Sequence, residues 1–527
     1  MNYQRKLQEI AGGAEAAQKL AEGPIPEKKI IHQLEMFRKG APYVKLVRPC
    51  TVGDGIRRIE ATENEKYLRL HERAAADGRL MKFVPASGAA TRMFKSLNKI
   101  YKMGDRVDYR RLKQMTDSDP AATETLKFFD NIEKFAFYDE LRQAMKLNGA
   151  GLEESLDSGK IYLILEYLLT AKGLNYANMP KGMIPFHRSG GYPRTPFIEH
   201  MEEAAECICD SSNLCRLHFT VPQKFQPEIE RHLYKLRSEF PGDIRFELST
   251  STQGSSTSTI AVDMDNKPFV LENGNILFRP GGHGTLLDNL NKLKGDIVFI
   301  KNIDNVVPPA LQAETNPYRK LLGGYIVEIQ QKVFEYLDLI EAGGASRKII
   351  DRAAKFCREE LSISLPEDFD YDSARQQQNA LAEALNRPIR VCGMVENKGE
   401  PGGGPFFIER NNRGSDIHIV EGAQINQQDP QQVKILREST HFNPVDIVCA
   451  LRDRHNKPFD LGRFSDPRMV FITEKSKDGR PLKALELPGL WNGAMADWIT
   501  VFVEVPIITF NPVKTINDLL RDNHQTE

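Results

Sequence analysis

Residues 86–92, Ala-Ser-Gly-Ala-Ala-Thr-Arg, have the side chains expected of a phosphate-binding loop. Small residues leave backbone N–H groups open to an anion, and Arg92 adds a fixed cation. The apolar run 80–84 before the loop predicts a strand, and Phe94, Leu97 and Ile100 after it predict a helix whose positive end faces the loop. The alternative is that Ser87 or Thr91 only caps this helix. The residues alone leave both interpretations open.

Residues 279–305 contain a second stretch suited to ligand binding. Glycines 281, 282 and 284 allow the backbone to bend tightly or to approach something flat. The pattern then predicts a helix from Thr285 to Gly295 and a buried strand over 297–300. Asp304 follows that strand at its carboxyl end, where α/β proteins bind a divalent cation or a ribose. The alternative for Asp304 is a turn or a helix cap.

Two lysines occupy unusual positions in the sequence. Lys181 stands between a proline and a glycine beside an apolar run, and Lys514 follows a proline-bounded turn before a short helical pattern. The ordinary interpretation of Lys514 is a surface lysine. Gln253 lies in the polar run 249–259, which is either a flexible linker or a loop that orders over a ligand.

Strands and helices alternate from residue 80 to residue 300, which predicts an α/β chain with a doubly wound, mostly parallel mixed sheet. We predict a helical N-terminal region over 1–78, an α/β core over 79–521 and a tail over 522–527. Within the core, 105–178 is a helical insertion and 389–510 a β-rich part. The N-terminal region could wrap the core or mediate self-association into a homo-oligomer. The insertion is either a satellite core or a lid.

Composition limits the classes of function. The chain has 527 residues, 40% of them hydrophobic, and a formal net charge of −1, so no global attraction to nucleic acid or to a membrane is expected. No run approaches the about 18 apolar residues of a membrane span, and a signal peptide is not evident, so we predict a cytoplasmic protein. The seven cysteines are scattered, as reduced thiols are. Cys207, Cys209 and Cys215 lack the paired spacing of a zinc site and are assigned no chemistry.

Several segments, in order along the chain, resemble those of nucleotidyltransferases that make nucleotide sugars, in particular the UDP-glucose and UDP-N-acetylhexosamine pyrophosphorylases. The similar segments are 86–93, 180–185, 280–284, 303–305, 492–496 and 510–520. Together they cover most of residues 80–520. The whole chain is also similar to an uncharacterised family of Bacteroidetes-type bacterial proteins that itself resembles these pyrophosphorylases.

The resemblance implies a nucleotide-diphospho-sugar transferase fold of the GT-A-like type. It implies that a nucleoside triphosphate, UTP by resemblance, and a sugar 1-phosphate react to give a nucleotide sugar and pyrophosphate with Mg²⁺. Arg92, Lys181 and Lys514 would be catalytic, and Asp304 would hold the metal. Nucleotide binding would fall to Ala86, Ser87, Gly88, Ala89, Thr91, Gln253, Gly282 and His283. Candidates for sugar binding are Glu421, Thr440, His441 and Asn443.

The chain departs from the pattern of these enzymes in two places. Ser87 and Ala90 stand where the first segment normally has glycines, and their Cβ atoms would crowd a phosphate. The insertion between Arg92 and Lys181 is also larger than expected. A nucleotide-sugar sensor without catalysis therefore remains an alternative to an enzyme, and a helical scaffold built on 1–78 and 105–178 is a third.

Overall fold

The computed structural model describes residues 3–11, 13–254, 258–341, 345–399, 402–410 and 414–525. The helices are α1 (Tyr3–Ala11), α2 (Ala14–Ala21), α3 (Glu27–Lys39), α4 (Asn64–Ala76), α5 (Lys95–Tyr101), α6 (Tyr109–Met115), α7 (Pro120–Phe129), α8 (Tyr138–Leu147), α9 (Leu152–Asp157), α10 (Ile161–Leu169), α11 (Pro196–Cys207), α12 (Gln226–Glu239), α13 (Leu286–Leu293), α14 (Pro309–Glu341), α15 (Arg347–Lys355), α16 (Ala374–Leu385), α17 (Pro430–Arg437) and α18 (Asp522–Gln525).

The strands are β1 (Leu46–Pro49), β2 (Thr51–Val52), β3 (Gly55–Arg57), β4 (Leu80–Pro85), β5 (His187–Ser189), β6 (Tyr192–Arg194), β7 (Leu214–Thr220), β8 (Arg245–Ser251), β9 (Ser258–Val262), β10 (Phe278–Pro280), β11 (Ile297–Lys301), β12 (Ile389–Glu396), β13 (Gly404–Arg410), β14 (Gly414–Val420), β15 (His441–Phe442), β16 (Asp446–Ala450), β17 (Phe471–Lys477), β18 (Arg480–Glu486) and β19 (Ile499–Glu504).

The chain divides into two compact units. Unit 1 comprises 1–74, 253–300 and 321–507, and unit 2 comprises 75–252, 301–320 and 508–527. None of the described helices is both long and apolar enough to cross a bilayer. The cysteines are free thiols, and all but Cys209 are buried.

Unit 1 contains a mixed sheet in the order β2, β3, β19, β12, β16, β11. The pairs β2 with β3, β3 with β19 and β19 with β12 are parallel, whereas β16 runs antiparallel to β12. Antiparallel sheets are formed by β1, β13 and β14 and by β10, β9, β18 and β17. An α/β chain with mostly parallel strands in its largest sheet, as predicted, is confirmed.

The helices predicted in residues 1–78 are present, and α3 buries Ile30, Ile31, Leu34 and Phe37 in a core shared with β9. Three strands, β1 to β3, were not predicted there. They are two to four residues long and lie close to Pro49 and Gly53, so no apolar alternation marks them.

Unit 2 contains the parallel strands β4, β7 and β8, with Pro85 opposite Thr220 and Thr220 opposite Ser251. The three strands therefore end at one edge, and loops that leave them meet there. Helices α6 to α10 lie within the predicted insertion, 105–178. Their core also includes Met93, Val513 and Ile516 from outside the insertion. The insertion therefore packs into the same core as the segments around Met93 and Val513.

Gly324 gives a first prediction, for the stability of unit 1. It is buried in α14, and a Cβ there would collide with the backbone oxygen of Tyr67 in α4. We expect Gly324→Ala to lower the free energy of unfolding by about 2 kcal/mol, although alanine favours a helix interior over glycine. The measurement is urea denaturation. Gly422→Ala is the control, because its Cβ would lie 3.7 Å from Leu436, an ordinary contact. Equal midpoints for the two variants would contradict the predicted collision.

Candidate active site

The loop that begins at Ala86 leaves the carboxyl end of β4. Its first amide donates to the Thr220 carbonyl across the parallel pair, at 2.8 Å. Gly88, Ala89, Thr91 and Arg92 are exposed, while Ser87 is half-buried. Arg92 belongs to a single 3-10 turn, Ala90–Arg92, and α5 begins only at Lys95. Arg92 therefore lies in the 3-10 turn that precedes α5 and not in α5 itself.

The segment around Lys181 lies against this loop. The Lys181 amide donates to the Gly88 carbonyl at 3.1 Å, and the Ala90 amide donates to the Met179 carbonyl at 3.2 Å. Residues 181–183 form a 3-10 turn where the resumed alternation favoured a strand. Pro180 and Pro185, which flank the turn, cannot donate to a ladder, which accounts for the difference. Lys181 thus sits beside the loop despite the long insertion between them.

The Lys181 ammonium joins two further segments. Its Nζ donates to Asp304 Oδ2 at 2.8 Å and to the Val513 carbonyl at 2.7 Å. The side chains of Lys181 and Asp304 are 11% and 22% exposed. Sequence reasoning named both residues but did not predict their ion pair, because nothing in the spacing indicates a contact between residues so far apart.

Asp304 is held at the same edge as the loop. The Ile303 amide donates to the Pro85 carbonyl at 3.2 Å, and the Asp304 carbonyl accepts from the Val513 amide at 3.0 Å. The Asn305 side chain accepts from the Asn511 amide at 2.8 Å. These bonds bring the ends of β4 and β11 and the segment 511–513 together.

Lys514 is carried by a turn that Asp518 holds. One Asp518 oxygen accepts from the backbone amides of Lys514 and Thr515, at 2.8 and 2.6 Å. Sequence reasoning missed Asp518, although Thr515-x-x-Asp518 is a capping-box pattern that could have revealed it. The Ile516 amide donates to the Met93 carbonyl at 3.1 Å, so this turn is also tied to the residue after Arg92.

Arg92 and Lys514 are the cations of this site that remain available. Among the described residues neither forms an ion pair, and Lys514 Nζ lies 5.6 Å from the centroid of the Phe510 ring. Lys181 is already paired with Asp304. The arrangement therefore offers two unpaired cations and exposed loop amides, which suits a ligand with several negative charges.

A buried charge cluster in unit 2 is formed by Lys82 on β4, Lys301 at the end of β11, Glu203 on α11 and Arg319 on α14. Glu203 Oε1 accepts from Lys82 Nζ at 2.6 Å, and Oε2 accepts from Lys301 Nζ at 2.6 Å and lies 3.3 Å from Arg319 Nε. Burial alone would raise the pKa of Glu203, but Arg319, Lys301 and Lys82 hold the pKa well below its ordinary value. Burial lowers the pKa of Lys82. Three cations thus share one carboxylate just before the loop and just before Asp304.

The residues expected to contact the base belong to unit 1. Gly282 adopts a left-handed φ of 74°, and a Cβ there would collide with the Glu486 carboxylate. The turn packs on β18 through a 3.1 Å bond from the Leu487 amide to the Gly281 carbonyl. The side chain of His283 lies outside the described residues, and Gln253 is half-buried.

The four candidates for sugar binding also belong to unit 1. Glu421 Oε1 accepts from the Asn492 side chain at 3.2 Å, and Thr440 Oγ1 lies 2.8 Å from His441 Nδ1. Asn443 is buried, and its amide group bonds to the Gly393 carbonyl and the Val445 amide. The Asn443 side chain therefore bonds to the backbone of both β12 and its own turn, whereas Thr440 is exposed.

Asp304 is the side chain of this site that could bind Mg²⁺. The described residues contain no group of three or more His, Cys, Asp or Glu side chains that could hold a metal ion. Asp304 Oδ2 is bonded to Lys181, and Oδ1 has no hydrogen bond to the described residues. Mg²⁺ commonly takes one or two carboxylates and completes its octahedron with phosphates and water, so a lone Asp304 fits that mode of binding.

Comparisons with known proteins give a family and several similar structures. A family model described as "Domain of unknown function (DUF4301)" matches residues 14–525. No curated protein matches the chain. Among solved structures, the chain is similar to the uridine diphosphate N-acetylglucosamine pyrophosphorylase of Trypanosoma brucei, at 12% identity and a TM-score of 0.46, over 99% of this chain and 81% of that one.

Two further similar structures are of proteins whose names contain UDP-glucose. A mutant of the UDP-glucose pyrophosphorylase of Leishmania major, in complex with UDP-glucose, is 12% identical at a TM-score of 0.40, over 94% of this chain and 74% of that one. The UDP-glucose phosphorylase of Trypanosoma brucei is 14% identical at a TM-score of 0.42, over 95% and 76%.

Proposed function

The chain belongs to the family described as a domain of unknown function, DUF4301, and we propose that it is a nucleotidyltransferase. It would join a nucleoside triphosphate, UTP, and a sugar 1-phosphate to give a nucleotide sugar and pyrophosphate. The GT-A-like type of fold, the Mg²⁺ dependence and a cytoplasmic location belong to the same proposal.

One observation carries the proposal. Four segments that resemble those of UDP-sugar pyrophosphorylases lie far apart in sequence, yet hydrogen bonds link them at one edge of unit 2. The Lys181 ammonium alone bonds to Asp304 and to the Val513 carbonyl, and the Lys181 amide bonds to Gly88. The meeting of the four segments at one position supports the proposal.

In the proposed reaction the protein must bring two anions together. A sugar phosphate oxygen forms a bond to the α-phosphorus of the nucleotide, and the bond from that phosphorus to the bridging oxygen breaks, so pyrophosphate leaves. Arg92 and the amides around Gly88 would bind the β- and γ-phosphates, and Lys514 would bind the sugar phosphate. Lys181 would stabilise charge at the α-phosphate, since ammonium groups aimed at developing charge lower the barrier.

Asp304 is the residue that would hold Mg²⁺. The ion, when bound, would neutralise negative charge on the phosphates. Because Asp304 Oδ2 is bonded to Lys181, the carboxylate also fixes where the ammonium points. The base would be read by Gln253, Gly282 and His283, and the sugar by Glu421, Thr440 and His441. Asn443 would act through the backbone that it holds.

The second prediction tests this function. Pyrophosphate release should occur with one nucleoside triphosphate and one sugar 1-phosphate in the presence of Mg²⁺, and Lys514→Ala should lower it by about 100-fold or more. The rate should fall mainly through a higher KM for the sugar phosphate. A panel of four nucleoside triphosphates against several sugar 1-phosphates is the measurement.

Lys113→Ala is the matched control. This lysine is also in unit 2, on α6, and its ammonium lies 4.9 Å from the centroid of the Tyr109 ring, as that of Lys514 lies near Phe510. We expect wild-type turnover from it. If no substrate pair is turned over but a nucleotide sugar still binds in calorimetry, the enzyme proposal is wrong and the nucleotide-sugar sensor is favoured.

A further inference from the structure

A chain of buried polar groups links two elements of unit 2 that the proposed reaction does not use. His187 in β5 places Nδ1 3.1 Å from Glu199 Oε1, and its Nε2 lies 2.8 Å from Nδ1 of His524 in α18. The two rings are stacked, with centroids 5.2 Å apart. The side chains of His187 and Glu199 are fully buried, and His524 is 3% exposed.

Each bond in this chain constrains the next. Glu199 Oε1 also accepts from Arg194 Nε at 3.0 Å, so this oxygen acts as an acceptor toward both of its neighbours. His187 Nδ1 must then carry a proton. The bond between the two rings needs one nitrogen to donate and the other to accept, so at most one of the two rings can be protonated on both nitrogens.

His524 lies in α18, near the end of the segment 508–525 that carries Lys514. Asn523 next to it donates from its side chain to the Asn511 side chain at 2.8 Å, and the Asn511 amide bonds to Asn305. Between these points the segment bonds to Asp304 through the Val513 amide and to Met93 through the Ile516 amide. The distal half of the segment is thus held by the His187 contact and by the bonds from Asn517 to Glu124, and the proximal end is held by the candidate site itself.

We propose that Glu199, His187 and His524 form an anchor that docks residues 508–525 on unit 2 and thereby positions Lys514. None of the three contacts Lys514, so they are positioning residues and not catalytic ones. The part of the inference that concerns catalysis rests on the proposed function, whereas the docking of the segment does not.

The groups around the anchor set its response to pH. Glu199 and Arg194 face His187, Glu202 pairs with Arg194 at 2.6 Å, and Arg521 faces His524 while it pairs with Asp518 at 2.8 Å. Burial, with His187 and Arg521, lowers the pKa of His524 to about 3. A released His524 titrates near its ordinary pKa of about 6.5, so docking should weaken up to tenfold per pH unit as the pH falls below that value.

The test compares His524→Leu with His524→Asn in the full chain. The asparagine side chain places an N–H or a C=O where Nδ1 stood, so it can restore the bond to His187, and leucine cannot. Hydrogen exchange of the Val513 and Ile516 amides should become about 10-fold to 100-fold faster in His524→Leu, because His187 loses a buried partner. His524→Asn should retain wild-type protection at pH 7 and should lose less of it than wild type between pH 6.5 and 5.

Kinetics provide the second readout. In His524→Leu the KM for the sugar 1-phosphate should rise about tenfold, with a smaller effect on the KM for the nucleotide, and His524→Asn should restore it. Equal protection in the leucine variant and wild type would overturn the anchor. Lost protection with an unchanged KM for the sugar phosphate would overturn the positioning of Lys514. If wild type turns over no substrate, the proposed function fails, and hydrogen exchange still decides whether the segment is docked.

Discussion

Lys181→Met should lower pyrophosphate release by about 100-fold to 1,000-fold, chiefly through kcat. The buried ammonium bonds to Asp304 and to the Val513 carbonyl, so methionine fills the same space but donates to neither. Two acceptors then lose their donor, and we expect the free energy of unfolding to fall by about 1 to 3 kcal/mol. The rate of pyrophosphate release and the free energy of unfolding should fall together, because the same ammonium group links the segments of the site and stabilises charge in the proposed reaction.

Lys172→Met is the control for this experiment. Lys172 is also in unit 2 and pairs with Glu166 at 2.6 Å, but its side chain is 44% exposed. An exposed pair contributes about 0 to 1 kcal/mol, so stability and turnover should stay close to wild type. The double variant Lys181→Met with Asp304→Asn should lose less than the sum of the single losses, since both changes break one ion pair. If the turnover of Lys181→Met stays within threefold of wild type, the proposed catalytic role of Lys181 is wrong.

Part of this site could be predicted from the sequence. The small residues 86–89, Lys181, Asp304 and Lys514 were identified by residue type and resemblance, and the structure places them at one edge of unit 2. Their roles with substrates stay predictions. The pairing of Lys181 with Asp304 could not be predicted, because a local pattern holds no information on contacts between residues 123 positions apart.

The fold shows the same division. Strong local periodicity predicted α13 and β11 close to their observed bounds. Residues 181–183 and β1 to β3 were missed, since their conformations depend on prolines, glycines and partner strands more than on apolar spacing. The anchor at His187 was also missed, because its three residues lie on separate elements and match no short pattern.

The buried cluster around Glu203 connects the strands to the site that they carry. Lys82 precedes the loop on β4, and Lys301 ends β11 just before Asp304, so both strands direct a lysine into the interior of unit 2. Each of the two strands therefore carries a lysine of the cluster and leads into a segment of the candidate site.

Glu203→Gln should lower the free energy of unfolding by about 3 to 5 kcal/mol, because it removes a buried carboxylate charge that three buried cations share. The pKa of Glu203 is held well below its ordinary value in the folded chain. Its stabilising contribution is therefore complete above the unfolded pKa of about 4.3 and is lost as the pH falls from there through the folded pKa. Glutamine does not titrate, so the variant should lose less stability than wild type over that acid range. Urea denaturation from pH 7 to pH 3 measures both effects.

Glu239→Gln is the control for this prediction, because it removes the same charge from an exposed position. Glu239 lies 3.9 Å from Lys235 in the same unit, but both side chains are at least 60% exposed. The same change of charge should there alter stability by less than about 1 kcal/mol. If Glu203→Gln cost no more than Glu239→Gln, the three cations would have to be satisfied without the carboxylate. Lys82 and Lys301 lie on the strands that lead into the loop and into Asp304. A loss of stability in Glu203→Gln should therefore also lower pyrophosphate release, although Glu203 contacts no substrate.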